Sequence, residues 1–345
     1  MKKKRYSIKD IAQELKVSRT TISFILNGKA KEKRISEALT KRVLEYVEKV
    51  GYQPHSIARS LRTGKSRVLV VMVEDIYSKL ARIIEDVAYK KGYRVLFCSN
   101  DNDDKKSRAL LKLFRDRQVD GYIIVPSPGV EKEIRAMDQE GVPVVLFDRY
   151  FPALKVSAVL AANKQATYAA TKHLITNGFT KIIFLTIDSL QTQMMARKKG
   201  YCLALEEHGL EPIIVEIPTN VKNSPAQKDI LMQLMKKIND FDAMFFGTNY
   251  LAVSALELMK EEFPSYLNSK GFFTFDDSIL FKLFSPSISA ISQPLKKFGE
   301  LLMEMIVDKI ESPQVDAETD FKIHSLDCDI EYRESSMPLK DRSGI

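Results

Sequence analysis

The sequence is poor in the features that mark a chain as something other than an ordinary globular protein. Its 14 glycines and 13 prolines among 345 residues are too few for a fibrous or broadly disordered chain. Its three cysteines, Cys98, Cys202 and Cys328, are odd in number, far apart and set in apolar surroundings. That usage predicts buried thiols in a reducing compartment rather than disulfides or a zinc site. The four histidines are equally scattered, and no metal-spaced His/Asp cluster appears, so neither a metal nor a cofactor is expected. The opening MKKKRYSIKD starts like the charged region of a signal peptide, but Asp10, Gln13 and Glu14 interrupt any apolar run behind it. No uninterrupted apolar stretch approaches ~18 residues, so no membrane span is expected and the chain is assigned to the cytoplasm.

Catalytic signatures are missing as well. The stretch after the first strand of the body, Glu74-Asp75-Ile76-Tyr77-Ser78, has no glycine, so the dinucleotide fingerprint G-x-G-x-x-G is absent there. No P-loop and no G-x-S-x-G motif occurs. A binding protein is expected, not an enzyme.

What the chain does have is a charge asymmetry. Residues 1–67 carry 18 Lys and Arg against 6 Asp and Glu, a net of +12, while the rest carry 35 against 39, a net of −4. A basic head on a mildly acidic body is the footprint of a polyanion binder. A disordered, solubilising basic tail is the alternative, but this segment is strongly patterned. The length suggests two or three globular units, and 45% hydrophobic residues suffice for their cores.

In the head, Ser7-Ile8-Lys9-Asp10 offers a capping-box start to a helix whose apolar face is Ile8, Ile11, Ala12 and Leu15. Ser18 caps a second helix through Leu26, with Ile22, Ile25 and Leu26 turned inward, and Asn27-Gly28 ends it. Ser36 caps a third, with Leu39, Val43, Leu44, Val47 and Val50 at helical spacing before Gly51. Two short helices across a tight turn present the start of the second to a major groove. That start is Ser18-Arg19-Thr20-Thr21. Arginine can grip guanine or phosphate, and hydroxyls can bond phosphates or base edges. Ordinary solvent-facing helix residues would look the same.

The body alternates apolar runs with amphipathic helices. Strands are predicted at Val68–Val73, Tyr93–Cys98, Gly121–Val125 and Val144–Phe147, then at Lys181–Ile187, Ile213–Ile217, Ala243–Phe246 and Gly271–Phe275. Helices are predicted at Leu80–Lys91, Lys105–Arg117, Gln165–Asn177, Ala196–His208, Ala226–Ile238 and Leu251–Glu262, and two such series imply two doubly wound parallel-sheet subdomains with a cleft between. Ligands of such sheets bind beyond the C-terminal strand ends. Asp148, Arg149, Asn249 and Asp276 fall at such ends, and Arg197 is read as opening a helix facing the same cleft. Carboxylates and guanidinium groups suit the hydroxyls of a sugar or an anionic effector; they can also cap helices or pair with one another.

SIKDIAQELKVSRTTISFILNG, from Ser7 to Gly28, and GYQPHSIARSLRTGKS, from Gly51 to Ser66, resemble the DNA-binding headpiece and hinge of the LacI/GalR family of bacterial repressors. The resemblance continues through Asp148-Arg149, Asn163, the HLITNGFTKIIFL run from His173, Arg197-x-x-Gly200, Phe275-Asp276-Asp277, ISAISQPLKKFG from Ile288 and Arg333-Glu334-Ser335. It implies an all-α helix-turn-helix headpiece (1–53), a hinge helix and linker (54–66) and an α/β effector domain like periplasmic sugar-binding proteins (67–335). The N-subdomain would hold about 67–162 and 293–325, the C-subdomain about 163–292 and 326–335, with 336–345 a loose tail.

By the same resemblance, a homodimer, with a tetramer left open, binds pseudo-palindromic operator DNA. Ser7, Ser18, Arg19, Thr20, Thr21 and Ser23 are the candidate contacts, with Asn27, Arg34 and Ser36. Ala58 faces the minor groove from the hinge, and Leu61 is its apolar wedge. The effector, a carbohydrate by this resemblance, would meet Asp75, Tyr77, Asp148, Arg149, Arg197, Asn249 and Asp276. Several positions depart from the family pattern. Phe24 stands where an arginine is usual, His55 where asparagine is, and Lys29 to Arg34 is about three residues longer and basic. The loop holding Asp75 and Tyr77 is about four residues shorter, and Thr248-Asn249 replaces Asn-Asp. A soluble sugar-binding protein with an incidental basic head is the competing possibility.

A wedge unstacks bases only in a kinked, specific complex. Leu61→Ala is therefore expected to weaken operator binding more than binding to random duplex, and equal losses in a paired titration would contradict the wedge.

Overall fold

The computed structural model describes residues 6–52, 65–75, 78–221, 224–237, 240–312 and 321–341. The chain divides into two compact units, Met1–Arg67 and Val68–Ile345.

The first unit is three helices, α1 (Ile8–Leu15), α2 (Arg19–Leu26) and α3 (Glu37–Lys49). Each starts on a serine. Ser7 Oγ accepts from Asp10 N at 3.2 Å while Asp10 Oδ2 accepts from Ser7 N at 2.8 Å, the reciprocal box predicted from the sequence. Ser18 Oγ accepts from Thr21 N and Ser36 Oγ from Leu39 N. Each cap satisfies an amide that the first helical turn leaves unpaired. Ile11, Ala12, Ile22, Ile25 and Val43 form the small core, and Arg42 ties α3 to α1 by donating to Leu15 O at 2.9 Å. Leu44, counted on the apolar face of α3, is instead 46% exposed.

The second unit begins with β1 (Val68–Val73), α4 (Ser78–Lys90), β2 (Arg94–Ser99), α5 (Asp104–Asp116), β3 (Gly121–Ile124), α6 (Glu131–Gln139), β4 (Val144–Phe147) and β5 (Ala158–Ala161). It continues with α7 (Asn163–Thr176), β6 (Ile182–Ile187), α8 (Thr192–Glu206), β7 (Ile213–Ile217), α9 (Pro225–Lys237), β8 (Ala243–Phe246), α10 (Asn249–Glu262), α11 (Pro264–Ser269), β9 (Gly271–Phe275), α12 (Ile279–Leu283) and β10 (Ser289–Ser292). Last come α13 (Leu295–Glu311), β11 (Ile323–Leu326) and β12 (Asp329–Glu331). Two six-stranded sheets result, in the orders β11-β5-β4-β3-β1-β2 and β12-β10-β9-β8-β6-β7. All pairs are parallel except β12 against β10.

Alternation along each strand feeds two cores. Leu69 and Val71 of β1 pack with α4 and with Phe298, Leu302 and Ile306 of α13, while Val70 and Met72 pack with Leu111 of α5 and Ile134 of α6. Phe184, Phe245 and Phe273 face α7 and α8, and Ile183, Leu185 and Phe246 face α9 and α10. Strands buried on both faces must read as unbroken apolar runs, which is why β1, β4 and β8 were visible in the sequence. The chain passes between the sheets after β5, after β10 and after β11, so three strand-end segments border the cleft.

The expected loose tail needs correction at its start. Ser336 is fully buried; Asn177 Nδ2 donates to its carbonyl at 2.7 Å, and its hydroxyl meets His173 Nε2 at 3.0 Å and Ser289 Oγ at 2.7 Å. A Ser-Ser pair reads as loop because only tertiary partners can satisfy its hydroxyls in the interior.

Where α7 crosses α8, a Cβ on Gly200 would run into the backbone carbonyl of Lys164. Alanine usually favours a helix over glycine by about 1 kcal/mol, but backbone cannot yield as a side chain can. Gly200→Ala is expected to destabilise the body by about 1–3 kcal/mol in urea unfolding; unchanged or raised stability would refute this close approach.

Candidate functional site

Two sites emerge, one in each unit. On α2, Ile22 and Ile25 turn into the core, leaving Arg19, Thr20 and Asn27 exposed. Ser7, Ser18 and Ser36 spend their hydroxyls as helix caps, and Thr21 Oγ1 is 2.8 Å from Ser18 Oγ. Asn27 Nδ2 folds back on Ser23, bonding its carbonyl. Arg34 is exposed and adopts φ 54°, a left-handed corner that returns the chain to α3. Among the described residues, Arg19 and Thr20 make no side-chain hydrogen bond or ion pair, which leaves a guanidinium and a hydroxyl available at the start of α2. Ala58 and Leu61 of the predicted hinge lie outside the described residues, as does Tyr77.

In the body, the strand ends meet across the cleft. Asp148, just past β4, adopts φ 66°, and Asp276, just past β9, adopts φ 72°. Arg149 is almost fully buried. It donates to Glu74 Oε2 at 2.5 Å and Asn102 Oδ1 at 3.1 Å, and its Nε lies 3.3 Å from Asp148 Oδ2. Arg197 is held in the other half by Asn163 Oδ1 and Gly247 O, each at 2.8 Å, and by Asp276 Oδ2 at 3.5 Å, with its guanidinium 3.5 Å from the centre of the Phe275 ring. Hydrogen bonds join the halves across the cleft: Gln191 Nε2 donates to Asn102 Oδ1 at 2.9 Å, and Tyr150 N to Thr192 Oγ1 at 3.3 Å.

The structure thus brings Asp148, Arg149, Arg197 and Asp276 to one cleft, with Asn249 beside it as the first residue of α10. Asp75 is exposed and follows Glu74 at the same strand end. Arg197 does not open its helix. It sits in the second turn of α8, because that helix starts at Thr192 rather than at the predicted Ala196. Glu74, Asn102, Gln191, Thr192 and Gln293, which donates to Asp276 Oδ1, were missed. The strand-end rule could have found Glu74, directly behind β1; the others sit on loops or helix starts where spacing carries no signal. Asp277 belongs elsewhere, locked in a two-pronged pair with Arg333 at 2.7 and 2.8 Å.

Burial raises the pKa of Asp148; Arg149 and Arg197 pull it down, and Asp276 and Glu74 push it up. Tyr250 is pushed to about 12, mainly by burial. Thr186 Oγ1 and Gln193 Oε1 are buried without a hydrogen-bond partner. Such unsatisfied groups, one near the end of β6 and one in the first turn of α8, are suited to a ligand or an ordered water. Among the described residues no cluster of His, Cys, Asp and Glu is fit to hold a metal ion, and no helix is long and apolar enough to cross a membrane.

Residues 68–327 match the model of periplasmic binding proteins and the sugar-binding domain of the LacI family, and residues 7–55 match that of bacterial regulatory proteins of the lacI family. The chain belongs to the LacI family. Catabolite control protein A of Priestia megaterium is 28% identical over 335 residues, covering 96% of this chain and 99% of that protein. The ribose operon repressor of Halalkalibacterium halodurans is 29% identical over 317 residues, 90% of this chain and 92% of that one. In fold, this LacI-family chain is similar to the lac repressor dimer bound to operator and the anti-inducer ONPF. The TM-score is 0.81 at 16% identity, covering 97% of this chain and all of that one. A ribose-bound family regulator from Enterococcus faecium gives a TM-score of 0.68 at 22% identity, over 79% of this chain and 99% of its own.

A carboxyl whose folded pKa is raised binds more protons folded than unfolded between the two values. Stability therefore falls as pH rises from about 4 through the folded pKa. Asp148→Asn is expected to remove that loss, making the body equally or more stable at pH 7 and flattening its stability profile above pH 4. A variant markedly less stable at pH 7 would mean that pairing with the two arginines outweighs burial.

Proposed function

We propose that this LacI-family chain is a transcriptional repressor whose homodimer binds a pseudo-palindromic operator and whose affinity is set by a neutral sugar in the cleft of its body. Residues 1–53 serve as headpiece, 54–66 as hinge, and the body from 67 to at least Ser336 as effector and dimerisation domain. The protein acts in the cytoplasm, and the body binds its ligand without turning it over. Supporting the DNA-binding part is one observation above all: an exposed Arg19 and Thr20, without side-chain partners among the described residues, at the N-terminus of the second helix of a strongly basic unit. In a major groove that end can reach guanine edges and phosphates.

The charge of the effector follows from the pairing in the cleft. Arg149 is engaged by Glu74 and Asp148, and Arg197 by Asp276. Three carboxylates against two guanidinium groups leave no surplus positive charge for a phosphate. The same groups can still exchange hydrogen bonds with hydroxyls, as sugar sites do. Ligand acts only through different affinity for two arrangements of the halves. The Gln191–Asn102 and Tyr150–Thr192 contacts join the halves and so are among those such a change would remake.

Selection of bound genomic fragments at physiological salt is expected to enrich a palindromic site, and Arg19→Ala to lose its base preference. Retained preference in that variant would exclude the reading role, and binding without any enriched site would leave a soluble sugar-binding protein with a basic head. In thermal unfolding, a neutral pentose or hexose is expected to stabilise the body, by about 2.7 kcal/mol at a hundred times its Kd. Stabilisation by sugar phosphates alone would overturn the charge argument.

A further inference from the structure

The basic loop after α2 is fixed to the outward face of that helix. With 3.6 residues per turn, Thr20, Phe24 and Asn27 fall on the side opposite the buried Ile22 and Ile25. Phe24 is half-buried, and Lys33 Nζ stands over its ring, 5.5 Å from the centre. The loop that brings Lys33 there is well defined. Lys29 N donates to Phe24 O at 2.9 Å, Lys33 N to Lys29 O at 3.0 Å, and Ile35 N to Ala30 O at 2.9 Å, while Ala30 and Ile35 pack on the core. The Lys33 side chain remains 44% exposed, and Glu32 lies 3.3 Å from its ammonium.

We propose that Lys33 is a DNA-contacting cation of the α2 face, carried by the loop and aimed by the Phe24 ring, so that each headpiece neutralises one phosphate that α2 itself does not reach. This rests on the DNA-binding function proposed above. A surface cation–π pair is weak, and an ammonium has three N–H groups, so a ring on one side leaves donors free to face a phosphate on the other. Glu32 competes for the same ammonium and moderates the contact. Phe24 is then a positioning residue, and Lys33 adds affinity that is blind to sequence.

The test uses the full-length protein and a random-sequence 30-base-pair duplex, with affinity followed against salt. Each phosphate contact contributes about 0.9 to the slope of log K against log salt. Lys33→Ala is expected to reduce the slope by that amount per headpiece, about twice that in a dimer, while base preference in the fragment selection stays intact. Lys105→Ala, an exposed charge on α5 of the body, is expected to leave the slope unchanged. Phe24→Tyr keeps the ring and the wild-type slope, Phe24→Leu falls between wild type and Lys33→Ala, and Glu32→Gln tightens binding. An unchanged slope in Lys33→Ala, or an equal loss in Lys105→Ala, overturns the contact; a wild-type slope in Phe24→Leu overturns the aiming role. A wild-type protein that binds no duplex would instead overturn the repressor function itself.

Discussion

Two buried guanidinium groups govern the body of this protein. A buried charge is tolerated only when partners surround it, and stripping it of its partners typically costs about 3–5 kcal/mol, whereas Arg149 keeps Glu74 when Asp148 is neutralised. Arg149 collects Glu74, Asn102 and Asp148, which come from the ends of three different segments of the first sheet. Arg197 collects Gly247 and Asp276 from two strand ends of the second sheet and Asn163 from the crossing behind β5, and lies against Phe275. Each arginine therefore gathers strand ends that would otherwise be independent loops. The rims of the cleft are built around these two cations.

Function follows from how those rims meet. The chain passes between the sheets three times beside the cleft, so a change in the angle between the halves is concentrated in a few short segments. Asn102 bonds both Arg149 in its own half and Gln191 in the other, which links the charge network of one rim to the opposite wall. A ligand competing for those donors and acceptors alters both. The raised pKa of Asp148 and the unsatisfied Thr186 and Gln193 belong to the same pattern, since a site kept ready for a ligand holds groups that are poorly satisfied without it.

Much of this was legible before folding. The serine caps, the apolar face of α1 and the strands β1, β4, β7, β8 and β9 depend on local spacing, and the structure has them where the sequence put them. Strand-end residues Asp148, Arg149 and Asp276 could be named because a parallel sheet sends its loops to one edge. Edge strands were not legible. β11 and β12 close the two sheets with mixed polar and apolar residues and so show no unbroken apolar run, and α6 carries an ordinary polar surface. Ser336 read as the start of a loose end because its partners, His173, Asn177 and Ser289, are far away in sequence.

The sequence by itself determined the family, the fold class and the division into a basic head and an acidic body. These rest on local periodicity, capping chemistry and charge counts, all of which survive without knowledge of distant contacts. Tertiary structure alone decided which polar groups are already engaged. It occupied Ser7, Ser18 and Ser36 as caps and neutralised Arg149 and Arg197 within the cleft; it also brought Lys33 over Phe24 and left Arg19 and Thr20 open. The physical reason is that a hydrogen bond or ion pair is a property of two groups at short range, and their separation along the chain does not encode it.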